Sequence, residues 1–537
     1  MTDPSRREFL GAALAAPAIL SGCVKPDDWR TRVAGRWIGD NAVLGHRVRD
    51  VASSAAAHPP AGARARRCDV LVVGSGIAGL SAARTLQRAG ISDFAVLELE
   101  DEPGGNSRGH AMHGLRCPLG AHYLPLPGPG APDIQAWLVE IGLAKQTAGG
   151  LKWDERQLCH SPQERLFIAG RWQDGLLPDV PRESATQAQY RLLAKVITET
   201  GRIGFALPTN RAPWTPAHAA LDAVTAAQWL REQGLTDPLV LAYLDYCCRD
   251  DYGAGTATVS AWALVHYFAS RHGFGAPGDD ANDRDPVLTW PDGNAPLMQA
   301  LRQPFADRVL TGRAVFRIDE GLQDVTAWAF AGGEVERWTA KHVIVATPLF
   351  IAAHVLSTPP SALVAAAQQQ RRAPWMVANL RLDDLPLDRV GAPLSWDNVI
   401  HGSPSLGYVD AQHQSLARVV GERLLTAYWA FPDADRQRLL QMSWQDATQL
   451  ILDDLRVVHP DLSERLLQVD IVRHGHAMSI PTPGRRSSAA LAAVPGSAAR
   501  VSFAHADLSA YSVFEEAFTR GDTAGRRAAR ALGLTAA

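Results

Sequence analysis

Asp69-Val70-Leu71-Val72-Val73-Gly74-Ser75-Gly76-Ile77-Ala78-Gly79 is the stretch from which the architecture can be read. Residues 69–73 form a short apolar run rich in β-branched side chains, the pattern of a strand buried in a parallel sheet. Three spaced glycines then open a run from Leu80 to Ala89, which reads as a helix stopped by Gly90. Phe94-Ala95-Val96-Leu97 gives a second strand, ending at Glu98. In such a strand–turn–helix–strand unit, Gly74 permits the tight turn, Gly76 leaves the backbone bare for a pyrophosphate, and Gly79 lets helix and strand pack closely. The first helical turn, with Ile77 and Ala78, presents free N–H groups to phosphate. Glu98 is placed to accept from ribose hydroxyls. A dinucleotide is the expected ligand.

Gly104-Gly105-Asn106-Ser107-Arg108 follows at the spacing Glu-x5-Gly-Gly. Together these residues resemble the signature of the FAD-dependent amine oxidase superfamily, which includes monoamine and polyamine oxidases, protoporphyrinogen oxidase and phytoene desaturases. The resemblance implies that the paired glycines run along the FAD pyrophosphate; Asn106 stands where the family places Arg, with Arg108 two positions on. It returns at three distant places. Residues 308–318 are similar to the strand that meets adenine, at Val315; residues 343–348 to the strand and turn leading back to the substrate domain; and Val501-Ser502-Phe503-Ala504-His505-Ala506-Asp507 to the last FAD strand, where Asp507 closes on the cofactor.

The implied fold is α/β. A Rossmann-like FAD-binding domain, a parallel sheet plus a β-meander, is built from residues 66–125, 285–350 and 470–537. It is interleaved with a mixed α+β substrate domain of residues 126–284 and 351–469. Apolar residues at three- and four-residue spacing predict helices over 185–200 and 226–232. The segments 313–318, 325–330 and 334–338 predict the antiparallel meander, and the Gly/Asp/Pro-rich 273–286 a loop.

Gly120-Ala121-His122-Tyr123 resembles the family segment beside the flavin ring, which makes His122 and Tyr123 candidates to face flavin or substrate. Phe514 matches the position of an aromatic over the flavin face. Residues 473–484 resemble the strand and Pro-Gly turn on its other side, with His474 where Trp is common and no Cys for covalent attachment, so non-covalent FAD is expected. The family's Lys near flavin N5 is missing from residues 374–381. The chain's lysines are only Lys25, Lys145, Lys152, Lys195 and Lys341. A quinone or protein electron acceptor is then an alternative to O2. Trp396, Tyr408, Tyr428 and Trp429 are candidates to line the substrate cavity.

The N-terminus reads Ser5-Arg6-Arg7-Glu8-Phe9-Leu10, then an apolar run from Gly11 to Leu20, too short to span a bilayer. It resembles a twin-arginine signal, and Leu20-Ser21-Gly22-Cys23 a lipobox that would leave Cys23 lipidated. Export by the twin-arginine machinery to the periplasmic side is expected, with a lipid anchor as the only membrane attachment. Residues 1–23 are read as the signal and 24–65 as a tether or surface arm.

A net charge of −3 over 537 residues, with 46% hydrophobic and 20% charged side chains, offers no basic excess for nucleic acid. The six cysteines lack metal-ligand spacing, and no metal is expected. Three readings of function remain. The first is hydride abstraction from a C–H beside the nitrogen of an amine or polyamine. The second is a flavin-dependent desaturase or dehydrogenase on an apolar, isoprenoid-like substrate. The third is an exported flavin-binding electron-transfer or assembly protein.

Overall fold

The computed structural model describes residues 28–39, 41–52, 62–278, 286–415 and 420–534. Residues 1–27, including the twin-arginine stretch and Cys23, lie outside them.

Two large sheets organise the chain. In the first, of seven strands, Arg64–Val73 lies between Phe94–Leu97 and Glu334–Val345, parallel to both. Side-chain alternation in this central strand separates two cores. Leu71 and Val73 face one cluster with the meander strands Arg313–Glu320 and Val325–Ala331. Val70 and Val72 face another, with the helices Ile77–Arg88 and Phe514–Ala531. These helices touch backbone to backbone: a Cβ on Gly521 would overlap the Ala78 carbonyl, and Ser81 donates to the Phe518 carbonyl at 2.7 Å. The final strand, Val501–Phe503, pairs in parallel with Val343–Val345.

The second sheet has eight strands, with Arg372–Leu382 buried along its whole length between Arg423–Ala430 and Leu466–Ser479. Here too alternate residues part company. Trp375 and Val377 face a helical layer, while Met376, Ala378 and Leu380 face the helix Trp444–Leu455. The helical layer comprises Ala185–Gly201, Ala226–Glu232, Pro238–Tyr252 and Ala261–Ala269. Their first turns are capped by Ser184, Thr225, Asp237 and Ser260, whose side-chain oxygens accept orphan N–H groups.

Three boundaries differ from the sequence reading. The expected surface arm contains Ala34–Trp37, which pairs in parallel with Leu466–Ser479, and Ala42–Ala52, a helix against the meander. Trp29, Val33 and Val48 are buried, so this segment is anchored on the fold, its composition notwithstanding. Residues 470–479 belong to the second sheet rather than to the cofactor unit, because one long strand carries the chain across. Residues 351–368, expected on the substrate side, form helices whose Ala352, Val355, Leu363 and Ala366 cover the meander side of the first sheet. A sheet apolar on both faces needs that second cover.

Candidate active site

The cofactor cleft opens at the carboxyl end of the first sheet. Gly74 adopts φ +99°, and a Cβ there would press on the Ala346 carbonyl at 2.8 Å. A Cβ on Gly79 would overlap the Gly74 carbonyl, whereas Gly76 meets no protein atom within 4 Å. Its backbone therefore borders open space, as a passing pyrophosphate needs. Ile77 and Ala78 begin the helix that points at this space. Glu98 holds the turn together: its carboxylate accepts from the Ser75 N–H at 2.8 Å, the Ser75 hydroxyl at 2.6 Å and the Glu100 N–H at 3.0 Å.

The second glycine turn packs against the first, Gly104 N–H donating to the Ser75 carbonyl at 3.0 Å. The side chain of Asn106 donates to the Ala477 carbonyl, and its own carbonyl accepts from Ala121, beside Gly120. Ser107 is buried and donates its N–H back to Gly104. The Arg108 guanidinium, also buried, donates to the carbonyls of Gly105 and Gly39. Val315 is buried in the meander.

Asp507 lies at the end of the last strand. Its Oδ2 takes the Leu349 N–H at 3.0 Å and Arg372 at 2.5 Å. Burial pushes this carboxyl up, but Arg372 and His505 outweigh it and hold it well below the usual carboxylate range. Thr347 Oγ1 is buried without a hydrogen-bond partner, and Asp507 Oδ1 has only the His505 ring nitrogen, at 3.1 Å. Thr347 lies beside Gly74, its Cγ2 3.4 Å from where a Cβ would be. Orphaned buried oxygens are costly and await donors; a hydroxyl-bearing chain along this cleft supplies them. The bare Gly76 backbone, the helix terminus and these oxygens fit a dinucleotide such as FAD.

A cavity of about 830 Å3 lies between the helical layer and the second sheet. His122, Tyr123, Trp396 and Tyr428 line it as an aromatic group: the His122 ring centroid is 4.5 Å from Tyr428, 5.0 Å from Tyr123 and 5.5 Å from Trp396. Burial pushes the His122 imidazole down to about 3, so it is neutral. The Tyr428 hydroxyl donates to the Gly120 carbonyl at 3.2 Å, joining this wall to the Gly120–Ala121 segment. Tyr408 and Trp429 face away, Tyr408 bonded to Arg165 and His459 and Trp429 in the opposite core.

Five carboxylates also line the cavity: Glu164, Asp174, Asp179, Asp250 and Asp397. Tyr123 donates to Asp250 at 3.2 Å and Tyr246 to Asp397 at 3.4 Å. Burial, then Asp251, pushes Asp250 up to about 7; burial, then Asp250 and Glu164, holds Asp397 well above the usual range. Among the described residues the one arginine on the wall, Arg271, is committed to Asp251 at 2.9 Å.

Phe514 is a correction. It stacks on Trp137 at 5.9 Å, inside the core under the first sheet. Its neighbour Val513, the residue that caps the helix, packs against the cavity-side cluster instead. The Gly521 contact sets the helix register, and adjacent residues at its start point to opposite sides.

Residues 77–532 match the pattern of the family described as flavin containing amine oxidoreductase. The chain belongs to this family. An L-amino acid dehydrogenase of Synechocystis sp. is 26% identical over 296 residues, covering 55% of this chain and 58% of that protein. The flavin-containing amine oxidase B of Rattus norvegicus is 25% identical over 300 residues, 55% and 53%. The chain thus matches a little over half the length of these relatives. A putrescine oxidase structure with bound putrescine superposes with TM-score 0.63 at 18% identity, covering 87% of this chain and 99% of that one. The cyclohexylamine oxidase of Brevibacterium oxydans gives 0.64 at 18%, with 87% and 99% covered. Such identities speak for the fold, that of an FAD-dependent amine oxidase.

Within this amine oxidoreductase, none of the described lysines lines the cavity; Lys341 pairs with Asp69 at 2.8 Å, on the far end of the parallel strands. The strand Arg372–Leu382 places Trp375 toward the cavity-side cluster with its Nε1 buried and unpartnered. Asp250 and Asp397 were missed in the sequence. The helical spacing of Tyr246 and Asp250 was the available signal, but it looks like any polar helix face.

Proposed function

We propose that this flavin amine oxidoreductase binds FAD non-covalently and oxidises a cationic amine or polyamine at a carbon beside nitrogen. The observation that carries this reading is the acidic wall beside the aromatic group: Asp250 and Asp397 both face the cavity and are both held above the ordinary carboxylate range by burial and neighbouring carboxylates. An ammonium compensates buried carboxylates, and the aromatic wall of His122, Tyr428 and Trp396 attracts both the cation and its methylenes. The flavin, when bound, supplies the hydride acceptor. Hydride donation requires the neutral amine, because a protonated nitrogen has no lone pair to assist. The Asp250 carboxyl, poised near pH 7 and bonded to Tyr123, is suited to take the proton that must leave. Cys247, also on the wall, has its thiol pushed up to about 12 by burial and takes no part.

An apolar isoprenoid would bring no cation to offset the burial of Asp250 and Asp397. An amino acid would need a cation for its carboxylate, and among the described residues the wall arginine, Arg271, is held by Asp251. The flavin-binding electron-transfer reading leaves so large a cavity without purpose. We also propose, from residues 1–23, export by the twin-arginine machinery and lipidation at Cys23. A quinone or protein is then the acceptor, in keeping with the missing lysine.

The test is anaerobic mixing with putrescine, spermidine, benzylamine, an L-amino acid and a long-chain alkene, following flavin absorbance. Rapid bleaching by the amines alone is expected. Bleaching by the alkene or amino acid and not by amines would overturn the reading.

A further inference from the structure

The segment around Gly39 and Asn41 joins the two sheets across the cofactor loops. Upstream, Ala34–Trp37 lies on the edge of the second sheet, and the Ile38 N–H continues the pairing to the Ile471 carbonyl at 2.8 Å. Downstream, Ala42–Ala52 lies on the meander of the first: Val48 is buried, the Arg47 guanidinium is 3.7 Å above the Phe330 ring, and the Arg49 carbonyl is bonded to His354. Both ends are therefore anchored, each to a different half of the molecule.

Between the anchors, the contacts go to the residues that frame the dinucleotide cleft. The Gly39 carbonyl accepts from Arg108, whose Nε also donates to Gly105. The Asn41 N–H donates to both carboxylate oxygens of Glu100, at 3.1 and 3.0 Å. Glu100 lies 3.8 Å from Arg108 and donates its own N–H to Glu98. Gly39 fits closely, at φ +76°, where a Cβ would come within 3.1 Å of Val472 and 3.3 Å of Leu119. Glu98 and Gly105, the residues nearest the expected ribose and pyrophosphate, are thus each two hydrogen bonds from this segment, through Glu100 and Arg108.

We propose that Gly39 and Asn41 form a retention latch for the flavin dinucleotide, with Glu100 and Arg108 as positioning residues that transmit it to the two glycine turns. The inference rests on FAD being the cofactor and is independent of which amine is oxidised. Release of FAD requires the glycine turns to part. The latch ties both turns to a segment anchored on both sheets, so parting them means breaking charge-assisted bonds first.

The experiment measures FAD release from the full-length holoprotein after dilution, by recovery of free-flavin fluorescence, alongside melting temperatures of holo- and apoprotein. Glu100→Ala should speed release at least about tenfold, the effect of losing one charge-assisted bond. Glu100→Gln, which keeps an acceptor for the Asn41 N–H, should restore much of the retention. Arg47→Ala, which loosens an anchor without touching the loops, should have a smaller effect than Glu100→Ala. Apoprotein melting should fall less than holoprotein melting in Glu100→Ala. An unchanged release rate, or an apoprotein destabilised as much as the holoprotein, would overturn the latch. Wild-type protein that carries no flavin would overturn the cofactor assignment itself, and is read separately from its colour.

Discussion

Tyr123 donates its phenolic hydrogen to Asp250 across 3.2 Å, joining the segment beside the flavin cleft to the acidic wall of the cavity. Asp250 carries a pKa of about 7, chiefly from burial and then from Asp251, while the Tyr123 bond works the other way. Its protonation therefore changes in the working pH range of the site.

Activity on an amine should rise as pH rises through about 7, as Asp250 loses its proton and can accept one from the substrate. Asp250→Asn should lose that step and lower kcat/KM about 10²-fold. Stability runs the other way. An unfolded aspartate titrates near about 3.9, so between that pH and about 7 the folded chain keeps a proton the unfolded chain has released, and stability falls as pH rises. Asp250→Asn should flatten this slope. A pH–rate profile and thermal melts across pH 4–8 check both; an unchanged profile in the variant would remove Asp250 from the proposed chemistry.

Gly76→Val should abolish flavin loading without unfolding the chain. A Cβ there meets no protein atom within 4 Å and projects into the space expected for pyrophosphate. The ratio of flavin to protein absorbance and the far-ultraviolet circular dichroism give the two readouts. Fully loaded yellow protein would reject the cleft as the pyrophosphate site.

Reduced flavin in this protein should react slowly with oxygen and faster with a quinone or phenazine. A positive charge near N5 stabilises the charge that develops as O2 is reduced. The strand Arg372–Leu382 instead presents the neutral indole of Trp375 to the cavity-side cluster. Arg381, on the same strand, is committed to Glu422 at 2.7 Å. Stopped-flow reoxidation in air-saturated buffer, against the artificial acceptors, decides the matter; oxygen outpacing them would refute the expectation.

Replacing Arg6 and Arg7 with Lys should leave folded protein in the cytoplasm, and Cys23→Ser should release exported protein from membranes. Cell fractionation separates the two, since persistent membrane association of the Cys23 variant would refute lipidation while leaving export standing.

The nucleotide unit was legible in the sequence because its physics is local. A buried strand, a glycine turn and a helix are specified by neighbours within about thirty residues, and Gly74, Gly76 and Gly79 fall where strand passes into helix, with Glu98 just past the second strand. The meander was legible for the same reason, as three short segments in succession at 313–318, 325–330 and 334–338. What required the tertiary structure was everything decided by which face meets which. Whether Phe514 or Val513 turns toward the cavity depends on a helix register set by the backbone contact of Gly521 with Ala78, far apart in sequence. Asp250 and Asp397 become a coupled pair only when a helix and a strand from separate stretches enclose one cavity and exclude water. Residues 29–39 and 41–51, Ala- and Arg-rich enough to pass for a tether, are packed onto the fold because an edge strand and a meander surface elsewhere in the chain give Trp29, Val33 and Val48 something to bury against. Burial and pairing across such distances are properties of the assembled fold, and no local pattern encodes them.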